Sequence, residues 1–403
     1  ATCATCSTSC TWTCVDGTCD DPVSLSAGYE FTCALQTRGG VACWGNNEHG
    51  QLGNGRVGVT PSSRPVPVRS PDGSLLEGAS SVAAGWRHAC AGLADGRAVC
   101  WGDNEAGQLG ADSGTTSAST PQVVLQVGGV ELSGVTSVAA GESHACALLT
   151  AGEVVCWGRN DEGQLGTGDT TSSSHAISVV GVGGSGTLGG VTDLAAGGRS
   201  TCAVLGDGRV ACWGWTPSGE ASAPTTVPAI GGGGDLTSVD SVVVGNRFAC
   251  ALLTSGDVAC WGEGDDGQLG DGARSALRAE PALVLNSAGD APLAGVTALS
   301  LGESHACASA PSDTFCWGNG FSGQLGSGLA GASASSALPV AVVGSGGAGT
   351  LGPSSDLAAG ARHSCSLGGS VAKCWGRGTS GELGGGTLDS SPTPIATLAP
   401  AVP

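Results

Sequence analysis

Cysteine and histidine are the side chains here with the most reactive chemistry, 19 and six of them in 403 residues. Their spacing indicates which chemistry applies. Fourteen cysteines fall into seven pairs: Cys33 and Cys43, Cys90 and Cys100, Cys146 and Cys156, Cys202 and Cys212, Cys250 and Cys260, Cys307 and Cys316, Cys365 and Cys374. Zinc would usually show closely spaced Cys or His ligands. Nine or eight intervening residues instead suit the two arms of a hairpin, whose opposed Cα atoms lie within disulfide reach. Each bridge closes a loop of about ten residues, for which chain entropy gives somewhat under about 3 kcal/mol. Persistent disulfides belong to an oxidising compartment.

Four histidines (His88, His144, His305, His363) share one position, two residues before a cysteine. A catalytic histidine would occur once, whereas a repeated one reads as a buried side chain hydrogen-bonded to a neighbouring unit. The acidic doublets Asp161-Glu162 and Asp265-Asp266 carry the oxygens a hard cation prefers. The same positions elsewhere hold Glu48-His49, Glu105-Ala106, Phe321-Ser322 and Thr379-Ser380, so no shared metal site is expected. No nucleophile elbow, His-Glu-x-x-His, Walker loop or dinucleotide fingerprint occurs. Neither catalytic residues nor a cofactor is therefore expected, and the chain reads as non-enzymatic.

The elements that must position these side chains recur with them. Cys-Trp-Gly starts at residues 43, 100, 156, 212, 260, 316 and 374, at intervals of 57, 56, 56, 48, 56 and 58. Before it stand an apolar stretch ending in Ala-Gly and two short apolar-rich runs split by a turn such as TRGG, ADGR or TAGE, the signature of a β-hairpin. After it come Gly-Gln-Leu-Gly and a Pro-rich strand, for example RPVPV at 64–68. Each unit thus supplies about four short strands and nothing of helical period. A four-stranded sheet that is apolar on both faces cannot bury itself, but seven set radially cover one another. The fold expected is all-β: a seven-bladed propeller over residues 23–403, with one disulfide per blade. Unit four, which reads WTPSGEASAPTT after its Cys-Trp-Gly, lacks Gly-Gln-Leu-Gly and should have a shortened loop. The Pro-rich run 391–400 either completes the seventh blade or joins the first.

The pattern VAAGxxHxCAL…GxVxCWGxNxxGQLG, from residue 23 to about 398, resembles the regulator of chromosome condensation repeat. That resemblance implies a seven-bladed propeller. Its members include an exchange factor for a nuclear GTPase and secreted bacterial inhibitors of β-lactamase, and this chain resembles the secreted kind. A net charge of −19 repels phosphate backbones, so no nucleic-acid partner is expected. No apolar segment is long enough to span a membrane. A first residue of Ala1 and the absence of methionine are expected of a mature chain whose signal peptide has been removed. The expected location is secreted, extracellular or at the cell surface.

Residues 1–22 form a separate cysteine-rich piece with Cys3, Cys6, Cys10, Cys14 and Cys19. Five is odd, so one thiol is free or pairs with another chain, and the piece is expected to tether the disc rather than stabilise it. This leaves two functions. The first is a binding scaffold for a protein or glycan. The second is a structural subunit that self-assembles, covalently or not, through residues 1–22; size in solution with and without reductant separates the two.

The repeats also mark a contact surface. In Gly-x-x-His/Phe/Ser-x-Cys the frame is constant and the two x positions vary: Tyr29-Glu30, Trp86-Arg87, Glu142-Ser143, Gly198-Arg199, Asn246-Arg247, Glu303-Ser304 and Ala361-Arg362. They should ring the central channel on one face. The expected partner-binding residues are Tyr29, Glu30, Trp86, Arg87, Glu142, Arg199, Asn246, Arg247, Glu303 and Arg362. They include four arginines and the chain's only tyrosine, on an otherwise acidic protein. Aromatic and Arg side chains are enriched at interface hot spots. The resemblance implies the same face, through which the secreted inhibitors bind their targets.

Overall fold

The computed structural model describes residue 12, residues 14–15, residues 18–111 and residues 114–400. Seven four-stranded antiparallel sheets follow one another in sequence. The first blade consists of Pro22–Ala27, Phe31–Gln36, Val41–Gly45 and Ser62–Pro67, counted from the channel outward. The seventh consists of Asp356–Ala359, His363–Gly368, Val371–Gly376 and Ser391–Ala396. The Pro-rich C-terminal run therefore completes blade seven, and no strand is lent across the boundary.

Each cysteine pair stands in register across its hairpin, as Cys33 opposite Cys43 and Cys365 opposite Cys374. All seven are bonded. Their Cα separations of 4.0 to 4.1 Å are somewhat shorter than those typical of directly opposed residues. The second strands do not alternate between wet and dry faces. Phe31–Gln36 and His88–Leu93 are buried at every residue, because a blade has a neighbour on each side.

What joins the blades is a relay of polar groups set in apolar seams. In blade three the His144 Nε2 lies 2.9 Å from Thr201 Oγ1 of blade four, whose hydroxyl donates to the Gln164 carbonyl at 3.0 Å. His305, Ser364 and the Gln324 carbonyl repeat the arrangement, as do His363, Thr32 and the Glu382 carbonyl across the ring closure. The hydroxyl's one proton goes to the carbonyl, so the imidazole must be the donor to it, which fixes the Nε2–H tautomer. Burial pushes His144, His305 and His363 down to about 3 and keeps them neutral. The same carbonyl row receives the tryptophans of the following blade. Trp44, Trp101, Trp157, Trp317 and Trp375 donate from Nε1 to the carbonyls of Glu382, Gln51, Gln108, Gln268 and Gln324 at 2.7 to 2.9 Å.

The residue types at the seam go together. Where the motif position is Phe31 or Phe248, the residue presented by the next blade is Ala89 or Ala306, in the same apolar cluster. His88 breaks the rule. Its counterpart is Ala145, both ring nitrogens lack a partner, and burial holds it at about 4. The preceding Gly is fixed by the ring that follows it: a Cβ at Gly85, Gly141, Gly302 or Gly360 would collide with the histidine three residues on, and at Gly28 with Phe31.

The N-terminal segment, expected only to tether, packs on the propeller through Trp12. Trp12 is buried at 7% exposure in the cluster shared by blades one and seven, edge-on to Trp44 with ring centres 5.9 Å apart. Its backbone N–H donates to Asp21 Oδ1 at 2.8 Å. Cys19 is disulfide-bonded, and its strand residue pairs with Cys14. The expectations for Cys3, Cys6, Cys10 and the Cys14 thiol lie outside the described residues.

Two outcomes follow. Trp12→Ala should cost about 3 kcal/mol, read as a lower thermal midpoint, and an unchanged midpoint would return the segment to a tether. Ala145→Ser should give His88 the acceptor its three counterparts have and add about 1 kcal/mol. A lower midpoint for that variant would show that this seam has no room for a hydroxyl.

Candidate functional site on the channel face

In each blade the first and third strands run toward the same face. Both the Gly-x-x turn and the Gly-Gln-Leu-Gly loop therefore open there, while the second hairpin turn and the blade-to-blade connections lie opposite. The two sets of loops thus share one face. The Gly-Gln-Leu-Gly segments are largely internal: Gln51, Leu52, Gln108, Leu109, Gln164 and Leu165 are at most 2% exposed. Their role is to carry the carbonyl row.

Six of the seven first residues of the variable pairs line the mouth of a channel enclosing about 260 Å³, among them Tyr29, Trp86, Asn246 and Glu303. Neighbouring turns are joined by backbone hydrogen bonds, Tyr29 to the Trp86 carbonyl, Trp86 to that of Gly141 and Glu142 to that of Gly198. The Tyr29 and Trp86 rings lie 5.1 Å apart at a 39° tilt, forming one aromatic surface at the mouth.

The charged members of the ring are mostly neutralised in place. Arg199 donates from Nε to Glu142 at 2.9 Å and from Nη1 to Glu162 at 2.6 Å. Those carboxylates hold its guanidinium above the ordinary arginine range. Arg247 is paired with Glu263 at 2.9 Å and lies over the Trp215 ring at 4.7 Å. Arg362 reaches Glu303 at 3.7 Å, and Glu30 receives Arg377 at 2.6 Å and Asn46 at 3.1 Å. Arg87 is exposed and, among the described residues, has no ion-pair partner. The acidic doublets join this network rather than forming a cation cage: Asp161 pairs with Arg159 at 2.6 Å, and Asp266 accepts from Asn319 at 3.1 Å. Among the described residues no three His, Cys, Asp or Glu side chains are grouped to hold a metal.

Two features of this face escaped the sequence reading. The first is Trp215, uncovered where blade four lacks its loop. The second is Glu382, which replaces the motif glutamine in blade seven. In blades one and six the glutamine Nε2 donates to Asn46 or Asn319, the residue after Cys-Trp-Gly. Blade seven has Arg377 there, 3.8 Å from the Glu382 carboxylate, so donor and acceptor have changed places.

Two sequence models of the Regulator of chromosome condensation (RCC1) repeat match the chain, one over residues 38–91, 95–148, 151–204 and 313–367, the other over 23–51, 79–108, 135–164, 191–220 and 239–268. The chain belongs to the RCC1 repeat family. It is 34% identical to the Ultraviolet-B receptor UVR8 of Arabidopsis thaliana over 192 residues, 47% of this chain and 41% of that receptor. It is 37% identical to the human probable E3 ubiquitin-protein ligase HERC6 over 148 residues, 37% of this chain and 14% of that protein. The matches thus span less than half of these relatives. Among solved structures, human WBSCR16 superposes with a TM-score of 0.69 at 24% identity, over 88% of each chain. Prp20p of Saccharomyces cerevisiae, whose binding to Gsp1p and histones has been described, gives 0.70 at 20% identity, over 94% of this chain and 87% of that one. At such identities the likeness establishes the fold, and function rests on the site.

Glu382 gives this face a pH dependence. It is 1% exposed, and burial pushes its carboxyl up to about 7, against the pull of backbone N–H groups and Arg377. A folded pKa raised above the unfolded one contributes stability at low pH that is lost as pH rises through 7. Glu382→Gln should therefore raise the melting temperature more at pH 8 than at pH 5. An equal effect at both values would mean that Glu382 does not titrate in the fold.

Proposed function

We propose that this chain is a secreted or cell-surface, non-enzymatic scaffold that recognises a partner protein through its channel face. The observation carrying this reading is the contrast between frame and variable pairs. The motif residues are buried in the seams, and most repeat one role from blade to blade. The seven variable pairs sit together around the channel mouth, with Tyr29 and Trp86 as an aromatic centre and Arg87, Arg247 and Arg362 at the rim. Large aromatic groups near the middle of a patch, with polar groups around them, are what interface hot spots are made of. Protein binding described for Prp20p, a propeller of the same fold, supports this. Seven disulfides support an oxidising location, and the −19 net charge favours a basic partner over any nucleic acid.

Within the ring, the contributions divide by burial. Glu142, Glu30 and Arg199 are held by ion pairs and set the shape of the surface. Trp86 has no ion pair to break, and Arg247, although paired with Glu263, is more exposed than Arg199, at 51% against 36%. With the partner captured from the native extracellular fraction and purified, Trp86→Ala and Arg247→Ala should each weaken binding by more than about 1 kcal/mol without unfolding the disc. Normal binding by both variants, with loss on substitution of Asp207 or Arg209 on the opposite face, would show that the other face is used.

A further inference from the structure

Blade four differs from the rest in the connection between its third and outer strands. Val210–Thr216 turns straight into Gly219–Thr226, with Thr216 opposite Gly219, and no Gly-Gln-Leu-Gly loop intervenes. Two effects follow at the seam with blade five. Trp261 receives no carbonyl from a preceding loop, and the residue after Cys-Trp-Gly is left uncovered. That residue is Trp215, where the other six blades have Asn46, Asp103, Arg159, Glu263, Asn319 and Arg377. Ser200, the small residue at the motif position, ties the short hairpin down by donating to the Trp215 carbonyl at 2.6 Å.

The space left by the missing loop is a pocket of about 310 Å³ drawing residues from four blades. The Trp86 and Trp215 indoles line it, together with Glu142, Glu162, Arg199 and Asn246. Arg199 bridges the two carboxylates, using two of its five N–H groups and leaving lone pairs on both glutamates. Arg247, also at the edge, is already matched by Glu263 and the Trp215 ring.

This arrangement selects a ligand by elimination. The charges cancel where they stand, so an incoming cation meets Arg199 and Arg247, and an anion meets Glu142 and Glu162. A purely apolar group would strip water from the remaining donors and acceptors without replacing it, which is costly. A neutral molecule with one apolar face and closely spaced hydroxyls avoids each penalty. Its C–H face rests on an indole, and adjacent hydroxyls donate to a glutamate while accepting from the guanidinium. We propose that the notch left by the shortened fourth blade is a binding site for a neutral sugar ring.

The site goes beyond the protein-binding reading and does not rest on it. The test uses free methyl glycosides of glucose, mannose, galactose and N-acetylglucosamine. Binding is followed by saturation-transfer NMR and calorimetry on the whole protein, beside Nα-acetyl-arginine amide and glucuronate. At least one glycoside should bind with a Kd on the order of 1 mM, the scale for a ligand of about a dozen heavy atoms. Trp215→Ala should weaken it at least about tenfold, an aromatic platform being worth that much, while Trp215→Phe retains most of it. Unchanged melting of both variants checks the fold. The proposal is overturned if no glycoside binds the wild type, if Trp215→Ala binds as well as the wild type, or if the arginine amide binds and the glycosides do not. Since Trp215 is not among the residues assigned to the partner protein, a negative result here leaves that reading in place.

Discussion

One backbone carbonyl in each of six blades, that of the glutamine or glutamate in Gly-Gln/Glu-Leu-Gly, is where the ring is held together. In five seams it accepts the indole N–H of the next blade, and in three it takes a hydroxyl whose oxygen receives the histidine N–H. A buried carbonyl must be satisfied and a buried indole must find an acceptor. Setting both across the seam converts two desolvation penalties into one inter-blade contact. The glycine before each ring, the neutral histidine tautomer and the near-complete burial of the loop all follow from keeping that carbonyl in place.

Blade number, strand order and the cysteine pairs were legible from sequence because each is written seven times. A residue that recurs at a fixed place in seven copies reveals its environment without a structure: the histidines could be placed in inter-blade contacts, and Cys33 opposite Cys43. What repetition could not show is which residue of one copy meets which of the next. That Thr201 and Ser364 are the acceptors for His144 and His305, and that Ala145 leaves His88 with none, depends on how neighbouring blades are offset. Trp12 was unreadable for the opposite reason: it occurs once, in a segment without pattern, and its docking on Trp44 depends on a surface built by residues over 340 positions away in blade seven.

The candidate site was legible in position but not in charge. Seven variable pairs do gather at one mouth, as a rigid repeat requires. Three of the four arginines that looked like an exposed basic ring on an acidic protein are spoken for by Glu142, Glu162, Glu263 and Glu303. Such pairing lies beyond sequence because Glu142 and Arg199 are 57 residues apart and belong to different blades. The surface is therefore stiffer and less cationic than composition suggests, so specificity rests more on shape and aromatic contact than on bulk attraction.

The seven hairpin disulfides lie within blades, closing spans of nine or ten residues, and each blade owns all four of its strands. Among the described residues no covalent bond and no shared strand marks the junction of blades one and seven. It is sealed by the carbonyl relay of His363, Thr32 and Glu382 and by a buried apolar cluster, with the Leu25 N–H donating to Asp356 at 2.7 Å. Topologically, then, the starting point of the circle is arbitrary. Opening one blade-to-blade connection and linking the outer strand of blade seven to the inner strand of blade one would give a circular permutant with the hairpins, bridges and seams of the blades intact, so the order of the blades along the chain is separable from their order around the disc.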